Sequence, residues 1–585
     1  MKKFLCVFLL STSMLATPLI AQNTLRAITL AELGQQVSFE HLSGQQTIFF
    51  PIGVPAAVVE ATLSLELNAT TAHPAERHLK ILIDDNLRKV VRLSDGASQV
   101  TVPLTVEDYA QGSVRVTLAY EGAPKDEVCI DDRAIGDTLI VSPSSGIEAL
   151  LNVAALDTAA KVMRSMPADL NITGGDSDPA LLLRTATLFG AEQGYLAGKH
   201  GAEGVWSTTS FAIDGTTDGL AVDSLTLKGG GATAQTDLAS LVGVRAPITS
   251  QGNVPLSRFS ALEPFYTTDR QLVRIVIDRA AFAPGLRPAS ATLNLIATPS
   301  PKGQTPSATI MLNGEILAAR ALRAGEVVPV TFDLPERLLA RSNQLDVIFQ
   351  RDASGGACDT VPAALPVQVL PTSSLRLVAN NRAPRDFDEL YQAFGVGAEV
   401  VVADPATDMD WALAAVGAAI PDTAGITYVA SSTQLSGDAP FVIVSRIKPE
   451  GIKPVSELSG GLTVTDTMGQ ELYSDTDISR TTIAQLVTKG EQTGLWLRPA
   501  NTLPILSAAR PLNFGQGDIV LIGEFGETLT LNTRAPDAFR LSEQQSSTQL
   551  WRTARPWIFG LVWLALTLAV LGGVARAYRS RAAKG

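Results

Sequence analysis

Clustered carboxylates, the residue type of general acid–base chemistry, occur at Asp84-Asp85-Asn86 and at Asp131-Asp132. Cleaving a glycosidic bond requires two carboxyl groups facing each other across it. Adjacent carboxylates in a polar loop point different ways, and Asp84-Asp85-Asn86 has the composition of a hairpin turn. The sequence contains no G-x-S-x-G elbow, no G-x-x-x-x-G-K-[ST] loop, no H-E-x-x-H and no dinucleotide fingerprint after a first strand. His41, His73, His78 and His200 read as structural or surface histidines rather than as a metal-ligand set. These residues imply no catalytic, metal or cofactor site, and so a protein that is not an enzyme.

Stacking on sugar rings is a weaker chemistry that a β-rich chain could still offer. The six tryptophans are poorly placed for it. Trp551, Trp557 and Trp563 fall near the C-terminus, and Trp206, Trp411 and Trp496 fall in stretches of mixed helix and strand. Tyr109, Tyr120 and the Phe265-Tyr266 pair read as core or strand packing, so the carbohydrate-contact residues stay unknown from sequence. A net charge of −12 argues against nucleic acid, which recruits basic faces.

The two ends place the chain. Pro556 to Ala575 is uncharged, and at about 1.5 Å per residue such a helix spans the roughly 30 Å of a bilayer core. Arg576, Arg579, Arg581 and Lys584 follow it with no acidic residue, which predicts a cytoplasmic tail and an exported body. Lys2, Lys3 and the apolar run after them read as a secretory signal ending at Ala21. Gly560, Gly572 and Gly573 would let a neighbouring helix approach the span closely. With Trp551, Arg552, Arg555, Trp557 and Trp563, they are the expected partner and membrane contacts. Cys6 would leave with the signal, so Cys129 and Cys358 remain; one possible bridge makes no disulfide framework.

Roughly 530 residues remain between the ends, enough for several full cores. They read as one unit written twice. Ala61-Thr-Leu-Ser-Leu65 returns as Ala291-Thr-Leu-Asn-Leu295 at an offset of 230. The strand and turn from Leu79 to Asp85 return at Thr309-Ile-Met-Leu-Asn313-Gly314, and Ser113 to Leu118 at Gln344 to Phe349. Cys129 to Ser145 returns at Cys358 to Ser374. In each copy period-two alternation gives way to helical periodicity, at Thr158 to Met166 and at Phe387 to Phe394. A strand follows, at Asp169 to Thr173 and at Glu399 to Ala403, and then a second helix, Pro179 to Leu196 and Asp408 to Ala419.

The predicted fold is mixed β and α/β: two jelly-roll-like β-sandwiches alternating with two small flavodoxin-like α/β domains, closed by one C-terminal transmembrane helix. The expected divisions are a signal peptide (1–21), sandwich 1 (22–147), α/β domain 1 (148–228), and a linker with sandwich 2 (229–374). After these come α/β domain 2 (375–534), a stem or interfacial helix (535–555), the span (556–578) and the tail (579–585). Gly229-Gly-Gly231 reads as the linker between copies.

This architecture, with Leu312-Asn-Gly-Glu-Ile-Leu317, Leu79-Lys-Ile-Leu-Ile-Asp84 and the sandwich ends at Cys129 to Ser145 and Cys358 to Ser374, resembles the B subunit of bacterial cellulose synthase. The resemblance implies a non-catalytic inner-membrane subunit with its body in the periplasm. Its partners would be the A subunit, which polymerises glucose from UDP-glucose, the nascent glucan, held weakly, and the membrane. The family carries a cyclic-di-GMP label, although the recognised dinucleotide site is a PilZ module of the A subunit with R-x-x-x-R and then [DN]-x-S-x-x-G. Arg337-Leu-Leu-Ala-Arg341 and Asp352-Ala-Ser354-Gly-Gly-Ala357 fall short of it, with alanine in place of the last glycine and too short a spacing. The alternative reading is a membrane-tethered binding or sensor module for another exported polysaccharide.

Overall fold

The computed structural model describes residues 23–534 and 540–541, except 41, 73, 125–136, 168, 190–205, 207, 268–269, 300–304, 324, 352–364, 459–460, 501–513, 524–526 and 535–539. The expected signal, Cys129, Cys358, the stem and the membrane span lie outside the described residues. Among those described, no helix is long and apolar enough to cross a membrane.

The first sandwich faces a six-stranded sheet with a four-stranded one. In the larger sheet Val58–Thr71 is central, pairing with Gly96–Leu104, Gly146–Asn152 and Asp137–Val141; Asn23–Thr29 and Val37–Phe39 complete it. The smaller sheet runs Ser43–Pro51, Ser113–Pro124, Ala75–Ile83, Asn86–Arg92. Alternation puts Leu63, Leu65, Ile81, Val116 and Leu118 in the core and polar residues outside. A single turn, α1 (Val106–Tyr109), buries Tyr109; its capping box joins Thr105 and Asp108.

The second sandwich repeats this strand order around Leu286–Ala297, with Arg270–Asp278, Ser342–Gln350, Ser307–Leu312 and Glu315–Ala321 as its smaller sheet. Asp84 and Asp85 both have positive φ, as do Asn313 and Gly314, so both copies turn through the same two-residue hairpin. The pairing register aligns Val116 with Leu345, since each faces the last residue before that turn. It therefore slides the expected match of Ser113 to Gln344 by two residues and makes Phe349 the counterpart of Tyr120.

The first α/β layer holds α2 (Ala159–Ser165), α3 (Pro179–Phe189) and α4 (Gly231–Val242). Asp169–Thr173, Thr208–Ile213 and Thr226–Gly230 are parallel, with Gly219–Asp223 antiparallel at the edge. Asp178 caps α3, accepting from Leu181 N at 3.0 Å, and also accepts from Gly231 N at 2.9 Å. The triple glycine is not a free linker: Gly229 and Gly230 end a strand and Gly231 begins α4. A Cβ at Gly230 would stand 2.1 Å from the Asp214 carbonyl oxygen, so close backbone approach is why glycine is there.

The second layer has α5 (Phe387–Ala393) and α6 (Pro405–Ala419). Ile426–Val429, Ala398–Val402, Phe441–Val444 and Gln492–Arg498 lie side by side and parallel. In chain order these are strands 2-1-3-4, the flavodoxin-like sequence. The likeness ends there, because Thr482–Lys489, Ile519–Ile522 and Thr528–Leu531 extend the sheet antiparallel. The first layer has a different order, 1-2-4-3, so flavodoxin-like describes only part of one layer. α3 packs on α6, and one apolar core runs from the first sandwich through both α/β layers, while the second sandwich has its own.

Candidate functional site

Two places in the fold gather side chains able to bind something. The first is the outer face of the six-stranded sheet of sandwich 2. On its edge strand, Phe265–Thr267, Phe265 pairs with Val367 and Tyr266 with Pro366. Val367 is buried, so alternation turns Phe265 onto the core and Tyr266 outward, where it is 67% exposed. The expectation of core packing thus holds for Phe265, Tyr109 and Tyr120 but not for Tyr266, because an isolated aromatic pair does not say which member faces out.

Behind Tyr266 the same face presents amides and hydroxyls. Gln368 donates to the Leu262 carbonyl at 2.7 Å, Asn294 donates to the Thr372 hydroxyl at 3.0 Å, and the Thr292 and Thr331 hydroxyls are 3.0 Å apart. An exposed ring beside fixed amides and hydroxyls suits a polyhydroxylated chain, which needs a flat apolar surface and hydrogen-bond partners along its rim.

The second place is a cavity of about 500 Å³ at the meeting of the first α/β layer, sandwich 2 and the second α/β layer. Arg245 and Arg258 stand at its exposed rim; Asp278, Arg341, Tyr391 and Thr423 line its interior. Arg341 lies over the Tyr391 ring at 4.0 Å and donates to the Ala418 carbonyl. Tyr391 donates to Asp278 Oδ2 at 3.3 Å, and Asp278 also accepts from Ala280 N at 2.7 Å. Burial raises the Asp278 carboxyl above its usual range.

Beside the cavity α5 joins sandwich 2 through buried polar groups. Arg279 donates to Gln392 Oε1 at 3.0 Å and approaches Glu389 at 3.7 Å; Arg382 also pairs with Glu389. Burial pushes Asp388 up to about 7 and Asp386 up to about 6, each reinforced by a neighbouring carboxylate.

The tryptophans Trp206, Trp411 and Trp496 are buried in the α/β parts. Arg337 and Arg341 do not converge: Arg337 pairs with Glu315 on the hairpin of sandwich 2, while Arg341 turns toward α6. No group of metal-ligating side chains occurs among the described residues. The expected contacts Trp551, Arg552, Arg555, Trp557, Gly560, Trp563, Gly572 and Gly573 lie outside them.

Residues 283–381, most of sandwich 2, match the family model described as "Cellulose synthase BcsB, first CBM domain". That stretch of the chain is similar to a BcsB domain. That match bears out the resemblance to the B subunit of cellulose synthase. No curated protein matches the chain. Among solved structures, similarity extends to the insecticidal delta-endotoxin Cry8Ea1 from Bacillus thuringiensis (12% identity, 20% of this chain, 19% of that one, TM-score 0.14). It extends also to the M60 catalytic domain with CBM51-1 and CBM51-2 of Clostridium perfringens ZmpB (9%, 59% and 34%, TM-score 0.15). TmCBM61 in complex with β-1,4-galactotriose is a third (14%, 20% and 70%, TM-score 0.13). The chain thus spans 19% and 34% of the length of the first two proteins.

Proposed function

We propose that this chain is the non-catalytic periplasmic subunit of a cellulose synthase complex. Its C-terminal residues would hold it against the membrane-embedded A subunit, and its sandwiches would guide the emerging glucan outward. The observation that carries the reading is the position of Tyr266: an exposed aromatic on the sandwich whose residues 283–381 match the BcsB CBM model, on the strand just ahead of the matched stretch and beside a row of amides and hydroxyls. One exposed ring fits transient contact with a moving polymer better than tight capture. The cyclic-di-GMP label of the family would then refer to the complex, with the dinucleotide bound by the A subunit. The division into signal, sandwiches, α/β domains, stem, span and cytoplasmic tail belongs to the same proposal, as does the inner-membrane location.

Two measurements test it. Replacing residues 535–585 with an unrelated stem and span should preserve export but lower UDP-glucose-dependent glucan synthesis per amount of A subunit. Tyr266→Ala should leave synthesis intact while weakening retention of the full-length protein on cellulose. Full synthesis after the swap, or co-purification in mild detergent with a sensor kinase rather than a multi-span glycosyltransferase, would favour the polysaccharide-sensor alternative.

A further inference from the structure

We propose that the cavity where the first α/β layer, sandwich 2 and the second α/β layer meet binds a small anion bearing a phosphate or carboxylate, and that this ligand fixes how the three parts sit together. The site is separate from the Tyr266 face and does not depend on the glucan reading.

Charge is the first ground. Arg245, Arg258 and Arg341 line the cavity, and Arg184 stands behind it, donating to Thr187 Oγ1 at 3.1 Å and to the Asp422 carbonyl at 2.7 Å. Among the described residues, none of these four guanidinium groups has a carboxylate within ion-pair distance, whereas Arg279 and Arg382 next to the same junction do. A chain of net charge −12 has carboxylates to spare, yet Asp278, Asp388 and Asp422 reach Arg341 and Arg184 only from beyond ion-pair distance, which leaves the four arginines able to take an anion from outside. The cost of leaving them so is visible at Arg184, whose guanidinium is lowered to about 10 by burial.

Geometry is the second. Arg245 gives one N–H to the Arg258 carbonyl at 3.1 Å, and Arg258 one to the Ala246 carbonyl at 2.8 Å. Each bond fixes the orientation of a five-donor fork and leaves donors for a two-pronged grip on a carboxylate or phosphate. Two carboxylates, Asp278 and Asp422, share the lining with the arginines. Asp278 is already engaged by Ala280 N and Tyr391 OH, with burial raising its carboxyl and Arg341 opposing that rise. Thr423 also lines the cavity, next to Asp422.

A volume of about 500 Å³ lies within the range of small-molecule sites. A neutral glucan has no use for arginine forks without carboxylates, so the ligand class differs from the polymer. Because the walls come from three parts of the chain, only one mutual arrangement completes the site, and an anion that binds it selects that arrangement.

The test is isothermal titration of the full-length protein in detergent with inorganic phosphate, glucose 6-phosphate, glucuronate and glucose. At least one anion should bind at a roughly millimolar Kd or tighter, and glucose should not. Preference for the phosphates or for glucuronate identifies the group recognised. The double substitution Arg245→Gln with Arg258→Gln should weaken binding at least tenfold. Ala246→Trp, which fills the rim without removing charge, should do the same if the arginine variant folds poorly. Tyr266→Ala should change nothing here, which separates this site from the polymer surface. Binding by none of the anions, equal binding of glucose, or affinity unchanged by both rim variants would overturn the proposal.

Discussion

Ser373 accepts the backbone N–H of Asn294 through its hydroxyl at 2.9 Å, and Ser145 does the same for Glu66 at the same distance. In each copy the long central strand changes neighbour at this point. Val58–Thr71 pairs with one strand up to Ser64 and with the next from Leu67, and Leu286–Ala297 changes partner between Thr292 and Leu295. The N–H in the gap has no ladder partner, and the serine after the Pro143 or Pro371 turn supplies one. Ser373→Ala should leave that N–H unsatisfied and cost sandwich 2 about 1–3 kcal/mol, read as a lower denaturant midpoint. Ser145→Ala should do the same to sandwich 1. An unchanged midpoint in both would mean water replaces the hydroxyl without loss.

That serine shows what was legible in the sequence. The repeated Pro-x-Ser could be matched by spacing, and so could the hairpin turns, because turn chemistry and period-two alternation are local. Partner strands are not local: nothing at Tyr266 says its neighbour is Pro366, so its exposure was hidden. Nor did the sequence bring Arg184, Arg245, Arg258 and Arg341 to one cavity, since they come from separate elements joined only by tertiary packing. The triple glycine misled for the opposite reason. A Gly-rich run looks like a linker, and the same lack of side chains permits the closest backbone approach in the first α/β layer.

Gly230→Ala distinguishes those two meanings. In a linker it would be neutral or slightly stabilising. Here the added methyl would meet the carbonyl oxygens of Asp214 and Thr217 at 2.1 and 2.3 Å, both backbone atoms that cannot rotate away. A loss of about 1–3 kcal/mol is expected from such overpacking, with faster hydrogen exchange in Thr208–Ile213 and Gly219–Asp223. Unchanged exchange there would restore the linker reading.

Asp386 and Asp388 make the junction of sandwich 2 with the second α/β layer sensitive to pH. Burial raises both in the folded state, to about 6 and about 7, above the roughly 4 of an unfolded carboxyl. The folded protein therefore holds more protons than the unfolded one between these values, and stability falls as pH rises through that window. The junction should be firmer at pH 5 than at pH 8, and Asp388→Asn should flatten the dependence by on the order of 2 kcal/mol. Thermal unfolding across pH 5 to 8 for both proteins checks this. A wild-type profile that rises with pH would reverse the sign and show the surrounding arginines outweigh desolvation.

Gln392 is the residue whose loss should separate the two halves of that junction. From α5 its Nε2 reaches the carbonyls of Leu286 at 2.7 Å, Ala283 at 3.1 Å and Phe282 at 3.4 Å, all in sandwich 2. Its Oε1 accepts from Arg279, which donates in turn to the Leu339 carbonyl at 3.3 Å. One amide thus ties three backbone carbonyls of sandwich 2 to α5, next to a buried guanidinium. Gln392→Ala should cost the interface about 1–3 kcal/mol, because buried carbonyls and the Arg279 Nε–H lose a hydrogen-bond partner. Sandwich 2 has its own apolar core, so it should stay folded while its docking to α5 loosens. Calorimetry should then show its transition parting from that of the α/β layers, with faster proteolysis near residues 380–386. Gln392→Glu, which turns a carboxylate oxygen toward those three carbonyls, should be at least as damaging as alanine. If the alanine variant melts like wild type with unchanged cleavage, the docking rests on the Arg279, Arg382 and Glu389 ion pairs instead.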